Sequence, residues 1–205
     1  MKCTHKGYTV GTHRTVPPEE TIKKARRHLD SMMITRLTDL TGLDRLSIPV
    51  WCAATPCSEI LQSAWGKGLN TENAQASALM EAIERFHSEN PDETKLRRTS
   101  MRKLKSEGKR TINPDNLPLY KSSSFFSEDF VVHWTKARDI VAGNEVWIPA
   151  SSVYVCSPML YGYSANGLAG GNHMAEALLH ALCEVIERDS VAGLLSGGKL
   201  KLTPA

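Results

Sequence analysis

The sequence predicts an α+β fold, with helices packed on a mixed or antiparallel sheet, and three observations predict it. Two stretches, Glu81-Ala82-Ile83-Glu84-Arg85 and Glu184-Val185-Ile186-Glu187-Arg188, each close a helical run that follows a glycine-rich segment. Laid in register they also match Gly68 with Gly171, so the chain reads as an internal duplication of a glycine-rich loop plus an acidic helix. Between these units lie β-branched and aromatic runs that suit strands. The two acidic helices are therefore expected side by side.

Taken in order, Pro17 to Met33 reads as a first helix, with proline near its start and apolar positions at Ile22, Ala25 and Met32. Ile48 to Thr55 suits a buried strand. The first glycine run, Gly66-Lys67-Gly68-Leu69, opens the helix that carries Ala74, Ser77, Ala78 and Leu79 and ends at Arg85. Lys95 to Arg110 is rich in arginine and lysine and reads as a basic, exposed helix ended by Gly108. Without interleaved aromatics it is a solvated segment rather than a nucleic-acid patch. Phe130 to Lys136 and Asn144 to Ile148, joined through Gly143-Asn144, read as an antiparallel hairpin. Gly167-Leu168-Ala169-Gly170-Gly171 then opens the second acidic helix.

Helix geometry gathers the acids. Glu176, His180, Glu184 and Glu187 recur at steps of four, four and three, which a 3.6-residue period lines up on one face. Ala177, Leu178, Ala181, Leu182, Val185 and Ile186 form the neighbouring stripe, as packing against a core requires. In the first unit Ser77, Glu81 and Glu84 make the equivalent polar line. Carboxylates at this spacing repel one another. No lysine stands at i+4 to compensate, and Arg85 and Arg188 follow the last glutamate directly, where they are expected to point away from it.

A single helix of this kind is ordinarily a solvated face. Two of them, duplicated, can pool Glu81, Glu84, Glu176, Glu184 and Glu187 around a hard, oxygen-preferring cation. Mg2+ takes one or two protein carboxylates per ion plus phosphate oxygens, so five glutamates suggest more than one ion and a triphosphate; ATP fits. The glycine runs add donors, because a helix N-terminus presents unpaired N–H groups and glycine lets a phosphate approach. Neither run is a Walker A loop, and no dinucleotide G-x-G-x-x-G opens a helix.

These segments, with Asn166-Gly167-Leu168-Ala169-Gly170-Gly171-Asn172 and Glu176 through Asp189, resemble the signature of the YcaO proteins, ATP-dependent enzymes that activate backbone amides of peptides. The resemblance implies a nucleotide and magnesium site at Ser77, Glu81 and Glu84, then Asn172, Glu176, Glu184, Glu187 and Arg188. The family's basic phosphate contact before the first helix corresponds to Arg14, with Lys6 nearby. Gly11-Thr12-His13-Arg14, Pro17-Pro18-Glu19-Glu20-Thr21, Ile34 through Asp44 and Ile48-Pro49-Val50 are similar to members that work with the partner protein TfuA. Methanogens use one such enzyme to make a thioamide at a glycine of methyl-coenzyme M reductase.

The implied reaction runs in three steps. A nucleophile, sulfide for a thioamide or a Cys, Ser or Thr side chain for an azoline, adds to a peptide carbonyl; the oxyanion attacks the γ-phosphorus of ATP; phosphate departs. The resemblance covers essentially all 205 residues but only the N-terminal half of the domain, so residues 1–205 are expected to form one partial domain. No general base and no sulfur source are identified. A non-catalytic nucleotide- or partner-binding module is the competing expectation. The expected partners are a peptide or protein substrate, a TfuA-like protein, a sulfide donor and a second copy of the chain in a homodimer.

Composition agrees with a soluble enzyme portion. The chain has 41% apolar and 23% charged residues and a net charge of +3, too balanced for a dedicated nucleic-acid binder. No apolar run approaches the ~20 residues that span a bilayer, and the first residues do not lead into a signal-peptide core. A cytoplasmic location is expected. The five cysteines, Cys3, Cys52, Cys57, Cys156 and Cys183, show neither Cys-x-x-Cys nor zinc spacing and are read as reduced, Cys183 as a core residue.

Overall fold

A computed structural model of the protein describes residues 4–117 and 126–195, so Cys3 and the last residues of the chain lie outside it. The described residues divide into two compact units, one up to Arg85 and again from Asn166, the other Phe86–Ala165. Both are α+β, and each is built on a three-stranded, wholly antiparallel sheet. No helix among the described residues is long and apolar enough to cross a membrane.

In the first unit, α1 (Pro18–Ala25) begins where Pro17 and Pro18 fix the backbone, with Glu19 and Glu20 in its first turn and Lys23 and Lys24 in its last. It is shorter than the expected helix to Met33. One 3-10 turn, Arg26–His28, follows, and the chain then reverses as Met33 takes a left-handed φ of 55° and the Ile34 amide bonds back to the Leu29 carbonyl. Strands β1 (Arg36–Asp39), β2 (Val50–Ala54) and β3 (Ser63–Lys67) form the sheet in that order. β2 matches the expected strand; β1 and β3 are too short and too mixed in character to be read beforehand.

α2 (Thr71–Glu89) starts where the Asn70 side chain accepts the Asn73 amide 2.8 Å away. It packs on the sheet at very close range: a Cβ at Gly66 would lie 2.1 Å from the Ala78 nitrogen and 2.2 Å from the Ala74 oxygen. Ala53, Ala64, Ala78, Leu79 and Ala82 are buried there with Ile22, Ala25 and Ile34. Small residues on both sides are what permit the contact.

The second acidic helix, α4 (Met174–Leu195), repeats the loop geometry of the first. A Cβ at Gly68 would sit 2.8 Å from the Ala74 nitrogen, and one at Gly171 would sit 2.8 Å from the Ala177 nitrogen. The predicted register of the duplication is thus a structural one. Its apolar stripe, however, does not lie on a core. Leu182, Val185 and Ile186 are 37%, 40% and 64% exposed among the described residues. Cys183 is likewise exposed rather than in a core.

The second unit corrects the long basic helix. Its first part is strand β4 (Arg97–Ser100), and only α3 (Met101–Ser106) is helical, opened by the Ser100 hydroxyl accepting the Lys103 amide at 3.3 Å. Gly108 follows it at φ +71°, where the expected end falls. The basic residues face acids: Arg97 forks onto Glu107, Arg102 onto Asp129, Lys105 meets Glu128 and Arg110 meets Asp139. Ser100→Ala should lower the urea-unfolding stability of the chain by about 1 kcal/mol, the usual loss for an N-cap hydroxyl.

The hairpin is found as predicted, each strand beginning one residue later and ending one or two residues later than expected. β5 (Val131–Arg138) pairs with β6 (Glu145–Pro149), and Gly143 turns at φ +74° while the Asp139 carboxylate accepts the amides of Val141 and Ala142. β4 completes the sheet, and Met101, Leu104, Val132, Trp134 and Trp147 bury its core.

Candidate active site

The acids of both repeats meet in the first unit around Glu84. This residue, on the sheet-packed helix α2, is mostly buried, and its carboxylate accepts the backbone N–H of Gly170 from the loop before α4. The approach is close, since a Cβ on Gly170 would come within 2.6 Å of Met80 Cε and 2.8 Å of the Glu84 oxygen, and either side chain would have to shift. The Glu84 carboxyl is raised to about 7, chiefly by burial and also by Glu81 and Glu184, against the Gly170 N–H and Arg14, which lower it. Glu81 and Glu184 are thus near enough for their charges to act on Glu84.

Glu176 sits at the first turn of α4 and is 8% exposed. It accepts the Thr15 amide at 2.6 Å and the Asn172 amide at 3.1 Å, and Arg14 stands 3.8 Å away. Burial alone would raise this carboxyl, but the two amides and Arg14 outweigh it and hold Glu176 below the usual carboxylate range. The Asn172 side chain donates to the Thr21 hydroxyl at 2.7 Å and accepts from Lys24 at 3.3 Å, tying the loop to α1. At the place in the first repeat that matches Glu176, Asn73 donates to the Tyr8 hydroxyl at 3.2 Å. The segment from Tyr8 to Thr15, closed by the antiparallel bridge between Tyr8 and Arg14, is thus held by both repeats.

Two expectations change. The acidic stripes do carry compensating cations: Arg85 pairs with Glu81 at 2.6 Å and Arg188 with Glu184 at 2.5 Å, each across one helical turn. Arginine at i+4 of the earlier glutamate was there to be read, and it points along the helix, not away from it. The five glutamates also do not form a ready-made cage. Among the described residues no three His, Cys, Asp or Glu side chains converge closely enough to hold a metal by themselves. Glu176 is engaged by backbone amides, Glu187 is exposed on α4, and Ser77 is exposed on α2. Lys6 lies 3.0 Å from His13 Nδ1, and Arg14 is the basic residue that faces the acids. The Gly170 amide, expected as a donor to phosphate, donates to Glu84 here, and the Thr15 amide, a backbone group with no residue signature, is the contributor that sequence reasoning missed.

The donor chemistry nevertheless fits Mg2+. All the side chains concerned are hard oxygen donors, and a cation beside Glu84 would offset the burial that raises this carboxyl and the added repulsion from Glu81 and Glu184. With one or two carboxylates per ion, phosphate oxygens and water complete the shell. Arg14, Arg188 and the Gly167 and Gly170 amides are the groups of opposite sign nearby.

The family model described as YcaO cyclodehydratase, ATP- and Mg2+-binding, matches residues 65–203. An uncharacterized protein of Mycobacterium tuberculosis is 35% identical over 194 residues, covering 91% of this chain and 43% of the relative. An uncharacterized protein in the tfuA 3' region of Rhizobium leguminosarum bv. trifolii is 36% identical over 196 residues, covering 94% of this chain and 46% of the relative. A solved YcaO structure from Methanopyrus kandleri, bound with AMPPCP and Mg2+, superposes with a TM-score of 0.70 at 25% identity, covering 93% of this chain and 48% of that one. The chain spans less than half the length of these relatives.

Proposed function

The chain belongs to the YcaO family, and from that premise we propose that it binds Mg2+ and ATP at the acids around Glu84 and takes part in phosphorylating the oxygen of a peptide backbone amide. The observation that carries the reading is the buried Glu84 carboxylate, pressed by Glu81 and Glu184 and capped by the Gly170 amide. Glu81, Glu84 and Glu184 would hold the ion, with Glu187 and Glu176 able to join once released to it. Ser77, Asn172, Arg14 and Arg188 would orient the nucleotide. ATP supplies the phosphoryl group that turns an amide oxygen into a leaving group. The protein's part is positioning and electrostatic complementarity, on which phosphoryl transfer chiefly depends.

The product we propose is a peptide thioamide, as at the glycine of methyl-coenzyme M reductase, made with a TfuA-like partner and a sulfide donor. The resemblance of the N-terminal segments and the relative in the tfuA 3' region support it. An azoline-forming cyclodehydratase is the alternative that the family description favours. A non-catalytic nucleotide- or partner-binding module is the remaining alternative. The reading takes residues 1–205 as part of one family domain, working in the cytoplasm as a homodimer.

Calorimetry decides whether the site exists. Wild type should bind ATP with an affinity that rises with Mg2+, and Glu84→Gln and Glu187→Gln should each weaken binding about tenfold or more and flatten its Mg2+ dependence. Unchanged affinity in either variant would remove that helix from the site.

A further inference from the structure

Arg85 and Arg188 occupy matching places in the two repeats, each one helical turn after a glutamate, yet their surroundings differ. Arg188 has a half-exposed side chain and pairs with Glu184. Arg85 is 8% exposed and is anchored at the other end: its guanidinium donates to the Ser63 carbonyl at 2.6 Å and to the Leu61 carbonyl at 3.1 Å while it holds Glu81 at 2.6 Å. Ser63 opens β3, the strand whose Gly66 fixes α2 to the sheet.

We infer that Arg85 is a positioning residue that locks the Glu81 carboxylate in place for the cation. An exposed i,i+4 pair on a helix is weak and leaves both side chains mobile. A planar guanidinium seated on two backbone carbonyls has lost that freedom before any ligand arrives, so the carboxylate on its remaining face is held in one orientation. Such supporting contacts tune a ligand's affinity without touching the metal. Methionine in place of Arg85 removes both the anchor and the partner. Lysine restores the charge but not the fork, and its single ammonium does not bridge Glu81 and both carbonyls with fixed geometry. In the duplicated pair, the anchored arginine orients an acid, whereas the unanchored Arg188 stays available to anionic ligands.

The inference rests on the reading of Glu81 as facing Mg2+, and the experiment separates the two. Mg2+ affinity in the presence of ATP is measured by titration calorimetry on the full chain for wild type, Glu81→Gln, Arg85→Met, Arg85→Lys and the double variants with Glu81→Gln, with a melting scan of each. Arg85→Met should weaken Mg2+ about 10–100-fold and Arg85→Lys less, while neither substitution weakens it further once Glu81 is glutamine. If Glu81→Gln binds Mg2+ like wild type, the reading of Glu81 fails and the inference with it. If Glu81→Gln is weak but Arg85→Lys, folded by its melting curve, binds like wild type, or if its effect adds in full to that of Glu81→Gln, only the positioning role is overturned.

Discussion

Glu84→Gln should make the ligand-free protein more stable at pH 8, on the order of 3 kcal/mol. The Glu84 carboxyl has its folded-state value raised from 4.5 to about 7, first by burial and then by Glu81 and Glu184. The folded state therefore holds a proton that the unfolded state releases earlier. With respect to this group, stability is full below about pH 4.5, declines as pH rises towards 7, and stays reduced above it. Glutamine keeps the carbonyl oxygen that accepts the Gly170 amide but removes the charge. Chemical unfolding of wild type and variant between pH 4 and 9 should give curves that converge at the acid end and diverge at the alkaline end. Parallel curves would mean that Glu84 is solvated. Mg2+ with ATP should offset the same penalty in wild type, adding about 2.7 kcal/mol at a hundred times its Kd, and the gain should vanish with EDTA.

Trp134→Ala should unfold the second unit under mild conditions, at a cost of about 3–5 kcal/mol. The side chain is fully buried in the middle strand of β4-β5-β6, packed with Met101, Leu104, Val132 and Trp147, and its indole N–H donates to the Thr99 carbonyl at 3.0 Å. Truncation leaves a ring-sized void and a buried carbonyl without that donor. Trp134→Phe refills much of the void and should be far milder. Urea unfolding followed by hydrogen exchange of the β5 and β6 amides measures both; loss of protection confined to the first unit would contradict the assignment of this core.

The chain's own periodicity fixed several features in advance. Proline at the start of α1, the β-branched and aromatic run of β2, the Gly143-Asn144 hairpin and the two acidic helices are legible because each is set by neighbours within a few residues. The duplication was legible for the same reason, down to the glycines that place a loop against the first turn of a helix. The short strands β1, β3 and β4 were not, since four or five mixed residues become a strand only when a partner strand supplies their hydrogen bonds. The candidate glutamates could be named from spacing, but their condition could not. Glu84 is pushed up first by burial, then by Glu81 one turn back and by Glu184 of the other repeat, against the Gly170 amide, while Glu176 is held down by amides of Thr15 and Asn172. Burial and long-range contact decide a carboxylate's charge, and neither is a property of the residues beside it in the chain. Likewise Arg85 and Arg188 are identical in sequence context, and only the carbonyls of Leu61 and Ser63 make one of them a fixed support.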